Sequence, residues 1–367
     1  MHVHVVDPPA YTPPYDHALC AALARAGAQV DLFTSRFGYG EVPGAVGYTR
    51  HDQAFYRWAP GPPGSAVRRA ARAAQHGPDM VRYARRAPRD ADVVHFQWLT
   101  LPQVDARLLP GGVPLVLTAH DVAPRDPRPG QLAAWRRLLA CIDAVVVHSE
   151  HGRARLVDEL GVDPRRVRVI AHGAFAHLAE APSQTPLPRE LAGVETPVVL
   201  CFGLIRPYKG VDVLLDAWRE VEGAELWVVG LPKLDLAPLR AKAPASVRFV
   251  DRFVGDDELP AFFRRADLVV LPYREIDQSG VLFTALAFGA PLLLTAVGGF
   301  PEIAAQGAAR LVAHGDPAAL AAALRELLAD PAERRRLGAA ARTLATSALS
   351  WDTIARQHLN LYGELAA

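Results

Sequence analysis

Short runs of β-branched and other apolar residues alternate along the chain with longer stretches in which apolar positions recur every three to four residues. This alternation is typical of parallel strands joined by helices that cover the sheet. In the first half it predicts strands over residues 3–6, 30–34, 93–96, 115–119, 144–148 and 167–171. In the second half it predicts strands over residues 197–202, 225–229, 247–250, 268–271, 291–295 and 309–312. Helices are predicted over 16–26, 131–140 and 150–160, among others. The pattern therefore predicts an α/β fold in which the two halves repeat one architecture.

A change in composition separates the two halves. Residues 177–197 contain four prolines and no periodic apolar face, as expected of a linker. At 367 residues the chain also exceeds the length at which one hydrophobic core keeps growing. We therefore expect two Rossmann-like parallel-sheet domains, over residues 1–180 and 195–350.

Composition excludes several classes of function. The formal net charge is +1, which gives no reason to expect a nucleic-acid partner. Cys20, Cys141 and Cys201 are widely spaced within apolar runs, a pattern that favours free thiols in a reducing cytoplasm over a disulfide framework. No apolar run reaches about 18 residues, and the sequence from Met1 indicates a strand rather than a signal segment. We expect a cytoplasmic protein.

Lysine is rare in a chain that otherwise uses arginine. Only Lys209, Lys233 and Lys242 occur, and the first of them lies in the loop "LIRPYKG" that follows the strand ending near Gly203. Arg206 and Lys209 therefore stand beyond the carboxyl end of a parallel strand, where ligands bind in open α/β sheets. A compact ammonium suits a phosphate as a point charge. We interpret both residues as phosphate ligands, with a solvated basic turn as the alternative.

Two further strand-end loops in the second half carry polar groups. In "REIDQSGVLFTALAFG" the backbone amides of residues 279–281 open a helix and could bind an anion, although Ser279 could equally be a helix cap. The polar side chains just before them, suited to hydroxyl groups of a ligand, are Glu275, Asp277 and Gln278. In "TAVGGFPEI", Glu302 fits either a ligand contact or ordinary helix-start chemistry.

The first half offers aromatic and histidine candidates at its strand ends. His95 and Gln97 end one strand, and His120 ends the next. A histidine in such a place either binds a ligand hydroxyl or is simply packed and hydrogen-bonded. Tyr11 and Tyr15 lie in the proline-rich loop after the first strand, which is either a stacking platform or a rigid connector.

These segments together resemble a known family. The succession "HFQW", "TAHD", "VIAHG", "GLIRPYKGVDVLL" and "SGVLFTALAFGAPLLLTAVGGFPEI" is similar, over nearly the whole chain, to the group 1, or family 4, retaining glycosyltransferases of GT-B fold. The resemblance implies an acceptor-binding domain over residues 1–180 facing, across a cleft, a domain over 195–350 that binds a nucleotide-diphosphate sugar. It also implies that a final helix over 351–367 packs back on the first domain.

The resemblance assigns roles to these candidates. It implies that Arg206 and Lys209 hold the diphosphate and that His120 contacts the donor sugar. The set expected to act in catalysis is His120, Arg206, Lys209, Glu275 and Asp277. The set expected to bind the donor is Gly203, Arg206, Lys209, Gln278, Ser279, Gly280, Val281 and Glu302. The set expected to bind the acceptor is Tyr11, Tyr15, His95 and Gln97. We expect no cofactor beyond the nucleotide sugar, and no metal, because no Asp-x-Asp pair or His/carboxylate cluster is spaced as ligands.

One departure from the family pattern bears on function. The family places two glutamates eight residues apart, the second on the helix that binds the ribose, and this chain has Ile276 and Thr284 at those positions. Glu275 or Asp277 could replace the first glutamate. Two other functions stay open: a GT-B nucleotide-sugar epimerase, and a silent sugar-nucleotide binding protein.

The acceptor is not identified by the sequence. Arginines are concentrated between residues 66 and 90, in a helical spacing that places them on shared faces: Arg68, Arg69, Arg72, Arg82, Arg85, Arg86 and Arg89. This face is either simply solvated or rests on an anionic membrane, which would present a lipid-linked acceptor at the inner face of the cell membrane.

Overall fold

The computed structural model describes residues 1–124, 127–180 and 185–367. The chain forms two compact units, one made of Met1–His172 and Trp351–Ala367, the other of Gly173–Ser350. Residues 181–184 of the predicted linker lie outside the described residues.

The first unit is built on a parallel sheet. Its strands in the described residues are β1 His2–Asp7, β2 Gln29–Thr34, β3 Thr49–His51, β4 Val93–Phe96, β5 Leu115–Thr118, β6 Ala144–Val147 and β7 Val167–Val169. They are ordered β3-β2-β1-β4-β5-β6-β7, all in parallel. Its helices are α1 Pro13–Arg25, α2 Ala66–Asp90, α3 Pro102–Asp105, α4 Gln131–Ala140, α5 Glu150–Ala154 and, from the end of the chain, α15 Trp351–Ala366. A π-helical turn over Arg155–Glu159 continues α5.

The second unit repeats this plan. Its strands are β8 Val198–Phe202, β9 Glu225–Val229, β10 Val247–Val250, β11 Leu268–Leu271, β12 Leu292–Thr295 and β13 Ala309–Val312, in the order β10-β9-β8-β11-β12-β13. Its helices are α6 Ala176–Glu180, α7 Arg189–Ala192, α8 Val211–Trp218, α9 Ala237–Lys242, α10 Leu259–Arg265, α11 Gly280–Ala287, α12 Phe300–Ala305, α13 Pro317–Ala329 and α14 Pro331–Thr346. In each sheet the strand order reverses direction beside the first strand of the unit, which is where ligands bind in this class of fold.

The hydrophobic pattern located the strands correctly. Every strand predicted from it is present, with ends within two residues of the prediction, because the strands are rich in apolar residues and those in the middle of each sheet are buried. Strand β3 was not predicted. It consists of Thr49, Arg50 and His51 at the sheet edge, and has no apolar residue to reveal it.

Helix α15 packs within the first unit. Its Trp351 ring lies 5.0 Å from the Tyr15 ring, and its Tyr362 hydroxyl lies 2.6 Å from Nδ1 of His95 in β4. An ion pair joins Arg25 of α1 to Asp352 at 2.5 Å. The last helix thus completes the core around the amino-terminal strands.

Candidate functional site

The loop after β8 carries the two basic residues singled out by the sequence. Arg206 is exposed, whereas Lys209 is only 8% exposed. The ammonium nitrogen of Lys209 lies 3.8 Å from the centre of the Tyr273 ring and 5.5 Å from that of Tyr208. Two aromatic rings stabilise a cation held largely out of water. Lys209 is therefore a fixed positive charge at the carboxyl end of the sheet.

Gly210 explains how this loop meets the next one. It adopts φ +67°, and a Cβ at this position would overlap the carbonyl oxygen of Pro272. Only glycine combines that backbone conformation with such a close approach. The loop after β8 and the loop after β11 are consequently in direct contact.

Arg274 joins the same two loops, although it was not among the residues predicted from the sequence. Its backbone amide donates to the Tyr208 carbonyl at 2.8 Å, and its guanidinium donates to the Pro207 carbonyl at 2.8 Å. The guanidinium also pairs with Asp212 in α8, with contacts of 2.9 and 2.5 Å. Burial would raise the pKa of Asp212, but Arg274 outweighs it and lowers that pKa below its ordinary value. Arg274 therefore positions the basic loop without itself being a predicted ligand.

The start of α11 lies beside this charge. Ser279 precedes the helix and is buried, but its side chain makes no capping bond to the helix; its hydroxyl lies 3.3 Å from that of Tyr273. Ser279 therefore holds the N-cap position of α11 without the side-chain hydrogen bond of an ordinary cap. Gly203, with φ +111°, approaches the Val281 side chain so closely that a Cβ would contact it at 2.9 Å. Gly203, Lys209 and residues 279–281 thus converge at one end of the sheet.

The acidic and amide side chains near α11 differ in their surroundings. Glu275 is exposed, Gln278 is half-buried, and Asp277 is buried. Gln278 accepts a bond from the Ser279 amide at 3.3 Å, and Gly280 is exposed. Glu302 lies in the first turn of α12 and is half-buried. Glu275 is consequently the acidic residue of this loop most open to a ligand.

At the two positions where the family has glutamate, this chain has Ile276 and Thr284, and both have structural roles. Thr284 is buried, and its hydroxyl donates to the Gly280 carbonyl at 3.0 Å within α11. Ile276 is also buried. Neither side chain presents a charge or a free acceptor to a ribose.

In the first unit, the loop after β1 contains a pair of buried carboxyl groups that the sequence analysis did not consider. Asp7 accepts from the amides of Tyr11 at 2.8 Å and Thr12 at 3.3 Å. Burial raises the pKa of Asp7 to about 6. Burial, together with the charge of Asp7, also raises the pKa of Asp16 well above its ordinary value. The two carboxyl groups are neighbours that affect each other's charge, and Oδ1 of Asp7 is buried with no hydrogen-bond partner among the described residues.

His120 lies in a chain of hydrogen bonds at the end of β5. Nδ1 of His148 lies 2.9 Å from the Ile170 carbonyl, which can only accept, so His148 carries its proton there. Its Nε2 lies 3.4 Å from Nδ1 of His120 and accepts from it. Nε2 of His120 lies 3.1 Å from Oε1 of Gln97; because a neutral ring protonated on Nδ1 can only accept at Nε2, the Gln97 amide must turn its NH2 group to this position. Burial, and then the charges of neighbouring histidines, lower the pKa of His120 well below its ordinary value, so the ring is neutral.

Three predicted acceptor ligands are not available to an acceptor. The Tyr15 ring is enclosed by His120, His148, His172 and Trp351 and is 1% exposed, which leaves no face for stacking. His95 is fully buried, with its ring nitrogens 2.6 Å from Tyr362 and 2.7 Å from Thr118. Gln97 is fully buried under His120. The structure does not support these three assignments, whereas Tyr11 is 58% exposed beside Trp98.

A cavity of about 280 Å³ opens at the same end of the first sheet. Its walls come from the start of α1, the end of β2 with the loop that follows, and β3; its polar lining residues are Asp16, Thr34, Ser35, Arg36, Arg50 and Asp52. Hydroxyl, carboxyl and guanidinium groups line it, so it suits a small polyhydroxylated ligand. None of these residues was singled out by the sequence pattern.

Comparison with known proteins identifies the family. Residues 15–174 match the family described as glycosyltransferase family 4, and residues 196–330 match glycosyl transferases group 1. The chain belongs to the group 1, family 4 glycosyltransferases. This glycosyltransferase is 34% identical over 293 residues to the D-inositol 3-phosphate glycosyltransferase of Salinispora arenicola, covering 70% of this chain and 64% of that protein. It therefore spans just under two thirds of the length of that relative.

Two further comparisons add to this. The glycosyltransferase is 33% identical over 191 residues to the GDP-mannose:glycolipid 4-beta-D-mannosyltransferase of Xanthomonas campestris pv. campestris, covering half of each chain. Its fold matches that of the Anabaena HepE protein, solved in complex with UDP-glucose, with a TM-score of 0.74 at 19% identity, covering all of both chains. The predicted membership of the group 1, family 4 glycosyltransferases and the predicted GT-B fold are confirmed.

The arginines of α2 are largely engaged with the protein itself. Arg72 lies over the Tyr56 ring at 5.0 Å, Arg82 pairs with Asp79 at 2.9 Å, and Arg86 pairs with Asp90 at 2.9 Å. Arg68 and Arg69 donate to backbone carbonyls of the preceding loop. Arg85 and Arg89 are exposed. Within the described ranges, no helix of this glycosyltransferase combines the length and apolar character needed to cross a membrane.

Proposed function

We propose that this glycosyltransferase moves a sugar from a nucleotide-diphosphate sugar to an acceptor hydroxyl with retention of configuration and without a metal ion. One observation carries the proposal: the Lys209 ammonium and the start of α11 are joined through Tyr273, whose ring lies under the ammonium and whose hydroxyl reaches Ser279. This arrangement provides a cation and backbone amides for one anionic group.

The chemistry follows from the charge that develops. Cleavage of the bond between sugar and phosphate leaves negative charge on the departing diphosphate, and positive groups held rigidly in advance stabilise it more than they stabilise the substrate. Arg206, Lys209 and the amides of residues 279–281 supply these groups in the proposal. The acceptor hydroxyl then attacks from the face that the diphosphate leaves, and no protein nucleophile is needed.

We propose that the second unit binds the diphosphate of the donor, and we keep His120 as a proposed contact of the donor sugar. Glu275 and Gln278 are accessible enough to bind hydroxyls of the donor sugar, and Glu302 lies in the adjacent loop. The UDP-glucose complex of the structurally similar Anabaena protein supports a uridine diphosphate donor. Thr284 is not proposed to bind the ribose, because it is buried and its hydroxyl proton is donated within α11.

For the acceptor we propose a polyhydroxylated head group in the cavity lined by Thr34, Ser35 and Arg36, with Tyr11 at its side. We also propose that a lipid tail carries this group to an anionic membrane contacted by α2. Two strongly exposed apolar residues, Trp58 and Val67, lie near the basic start of α2, a combination that suits a membrane interface. The relative that acts on a glycolipid supports this choice.

The donor assignment is tested by thermal unfolding with UDP-, GDP-, ADP- and TDP-sugars. A donor at one hundred times its dissociation constant stabilises the protein by about 2.7 kcal/mol, and we expect this for UDP-sugars. The bound donor is then incubated with acceptors, and released nucleoside diphosphate is measured. If the donor stabilises the protein but no acceptor leads to release of nucleoside diphosphate, the chain is a silent binding protein. If an epimer forms from the donor alone, it is an epimerase.

A further inference from the structure

A cluster of three histidines and one aspartate lies on one face of the first sheet, apart from the site described above. His2 and His4 alternate along β1 and therefore point to the same face. The strand register places Asp31 beside His4, and His51 beside Phe33 two residues further along β2. Helix α2 covers this face with Tyr83.

The contacts within this His–Asp cluster are short. Nε2 of His2 lies 2.6 Å from Oδ2 of Asp31, and Nε2 of His51 lies 2.6 Å from Oδ1 of the same carboxylate. Each carboxylate oxygen of Asp31 thus has the ring nitrogen of one histidine beside it.

His4 is the residue that a purely structural cluster does not explain. Its side chain is fully buried, and Nδ1 lies 3.3 Å from the Tyr83 hydroxyl. Its other nitrogen, Nε2, is buried with no hydrogen-bond partner among the described residues. Leaving a buried ring nitrogen unpaired costs folding free energy, so a native protein does so rarely. A neutral imidazole carries its one proton on one ring nitrogen and offers the lone pair of the other to a ligand.

One ligand atom from each of His2, His4 and Asp31 lies within 4.8 Å of the other two, which is close enough for a single ion to contact all three. Two imidazoles and one carboxylate are a typical ligand set for Zn²⁺, with water as the fourth ligand. Tyr83 and His51 would orient His4 and Asp31 from behind, as hydrogen-bonded neighbours of metal ligands do.

We propose that His2, His4 and Asp31 bind one zinc ion. The site lies toward the amino-terminal half of β1, whereas Asp7 and the acceptor cavity lie at its carboxyl end, so the ion has a structural role. It ties β1 to β2 and, through His51, to the short edge strand β3.

The test uses the whole chain without a polyhistidine tag, stripped with chelator and dialysed. Zinc is titrated against a chromophoric competitor, and Co²⁺ is added separately as a spectroscopic probe. We expect one zinc per chain, an intense visible Co²⁺ band typical of four-coordinate geometry, and a higher unfolding temperature with zinc. His4→Gln and Asp31→Asn should each weaken zinc binding by roughly 100-fold, and His51→Gln by about 10–100-fold. His314→Gln, at an exposed histidine of the other unit, is the matched control and should bind as the wild type does.

A variant at His2 is included because this residue is partly exposed, so its substitution should disturb folding least. His2→Gln should retain its circular dichroism spectrum and still lose the Co²⁺ band. Transfer activity at 25 °C should be unchanged in this variant, because His2 is remote from the strand carboxyl ends. Equal zinc affinity in the wild type, His4→Gln and Asp31→Asn would overturn the proposal, as would a wild-type Co²⁺ spectrum with only the weak band of an octahedral surface ion.

Discussion

The ammonium of Lys209 lies 3.8 Å from the centre of the Tyr273 ring, and the hydroxyl of the same tyrosine lies 3.3 Å from that of Ser279. Tyr273 is 1% exposed, so its ring is fixed by packing. A rigid aromatic thus sets the distance between the cation and the start of α11. Both groups are held in place before any ligand binds, which is the condition for strong stabilisation of developing charge.

Lys209→Met should lower kcat/KM by roughly two to three orders of magnitude, comparable to the loss of one fixed charge-stabilising donor. Methionine keeps most of the buried volume against Tyr273, so the unfolding temperature should change little. Tyr273→Phe is the matched variant, because it keeps the ring under the ammonium and removes only the hydroxyl. It should lower kcat/KM much less. A Lys209→Met enzyme with more than half the wild-type rate would exclude a role for this charge.

Arg274 should act on donor binding through the position of the basic loop. Arg274→Gln removes the bonds to the Pro207 carbonyl and to Asp212, and we expect the KM for the donor to rise about 3–10-fold with a smaller change in kcat. Asp212→Asn should raise the KM for the donor by a smaller factor. The double variant should raise KM by less than the two single effects combined, because both changes break the same contact. Full additivity in steady-state kinetics would contradict the shared contact.

Transfer should persist in excess EDTA at 25 °C. The proposed charge stabilisation uses Arg206, Lys209 and backbone amides, so chelation removes nothing from the reacting groups. The proposed zinc ion acts on folding, and its removal should appear as a lower unfolding temperature at an unchanged initial rate. Loss of transfer with rescue by Mg²⁺ or Mn²⁺, but not by Zn²⁺, would show instead that the reaction needs a metal.

The buried Asp7 and Asp16 pair should make stability fall as pH rises. A carboxyl whose pKa is raised on folding stabilises the protein when protonated; for Asp7 this contribution is complete below its ordinary pKa of 3.8 and is lost as pH rises through about 6. Asp16→Asn removes one of the two charges and gives Asp7 an amide donor. Relative to the wild type, this variant should gain roughly 5 °C in unfolding temperature between pH 5 and pH 8.

The difference between variant and wild type is the quantity to measure, since buried neutral histidines such as His148 shift stability in the opposite direction over the same range. Asp158→Asn, at an exposed position, serves as the control and should leave the dependence of unfolding temperature on pH unchanged. Parallel curves of unfolding temperature against pH for Asp16→Asn and the wild type would rule out coupling between the two buried carboxyl groups.

Anionic vesicles should sediment the enzyme at low salt, and neutral vesicles should not. Arg85→Glu with Arg89→Glu changes two exposed arginines of α2 without breaking the pairs made by Arg82 and Arg86, and should abolish sedimentation. Arg219→Glu with Arg335→Glu changes the net charge equally in the other unit and should leave it intact. Equal recovery in the supernatant with both lipids would leave a water-soluble acceptor.

The parts predicted from sequence are those fixed by local pattern. Buried parallel strands are rich in apolar residues and can be located by that pattern. A basic loop directly after such a strand must lie at the carboxyl end of the sheet, so the location of Lys209 followed from its neighbours in the chain. The short polar strand β3 has no such pattern, and its place depends on pairing with β2.

The errors concern contacts between distant segments. His95 ends a strand as a ligand-binding histidine would, but Tyr362, 267 residues later, bonds to its ring. The role of Arg274 depends on Asp212, 62 residues before it, and the meeting of His4 with Asp31 depends on strand register. Such contacts are set by tertiary packing, which a single sequence does not reveal.

The return of α15 to the first unit has a consequence for synthesis. The Trp351 and Tyr362 rings that enclose Tyr15 and His95 leave the ribosome only after the whole of residues 173–350 has been made. The second unit is continuous in sequence and can fold during that interval, while the first unit waits with part of its core uncovered. We expect an early translation stop at residue 350 to yield a folded second unit attached to an aggregation-prone first one.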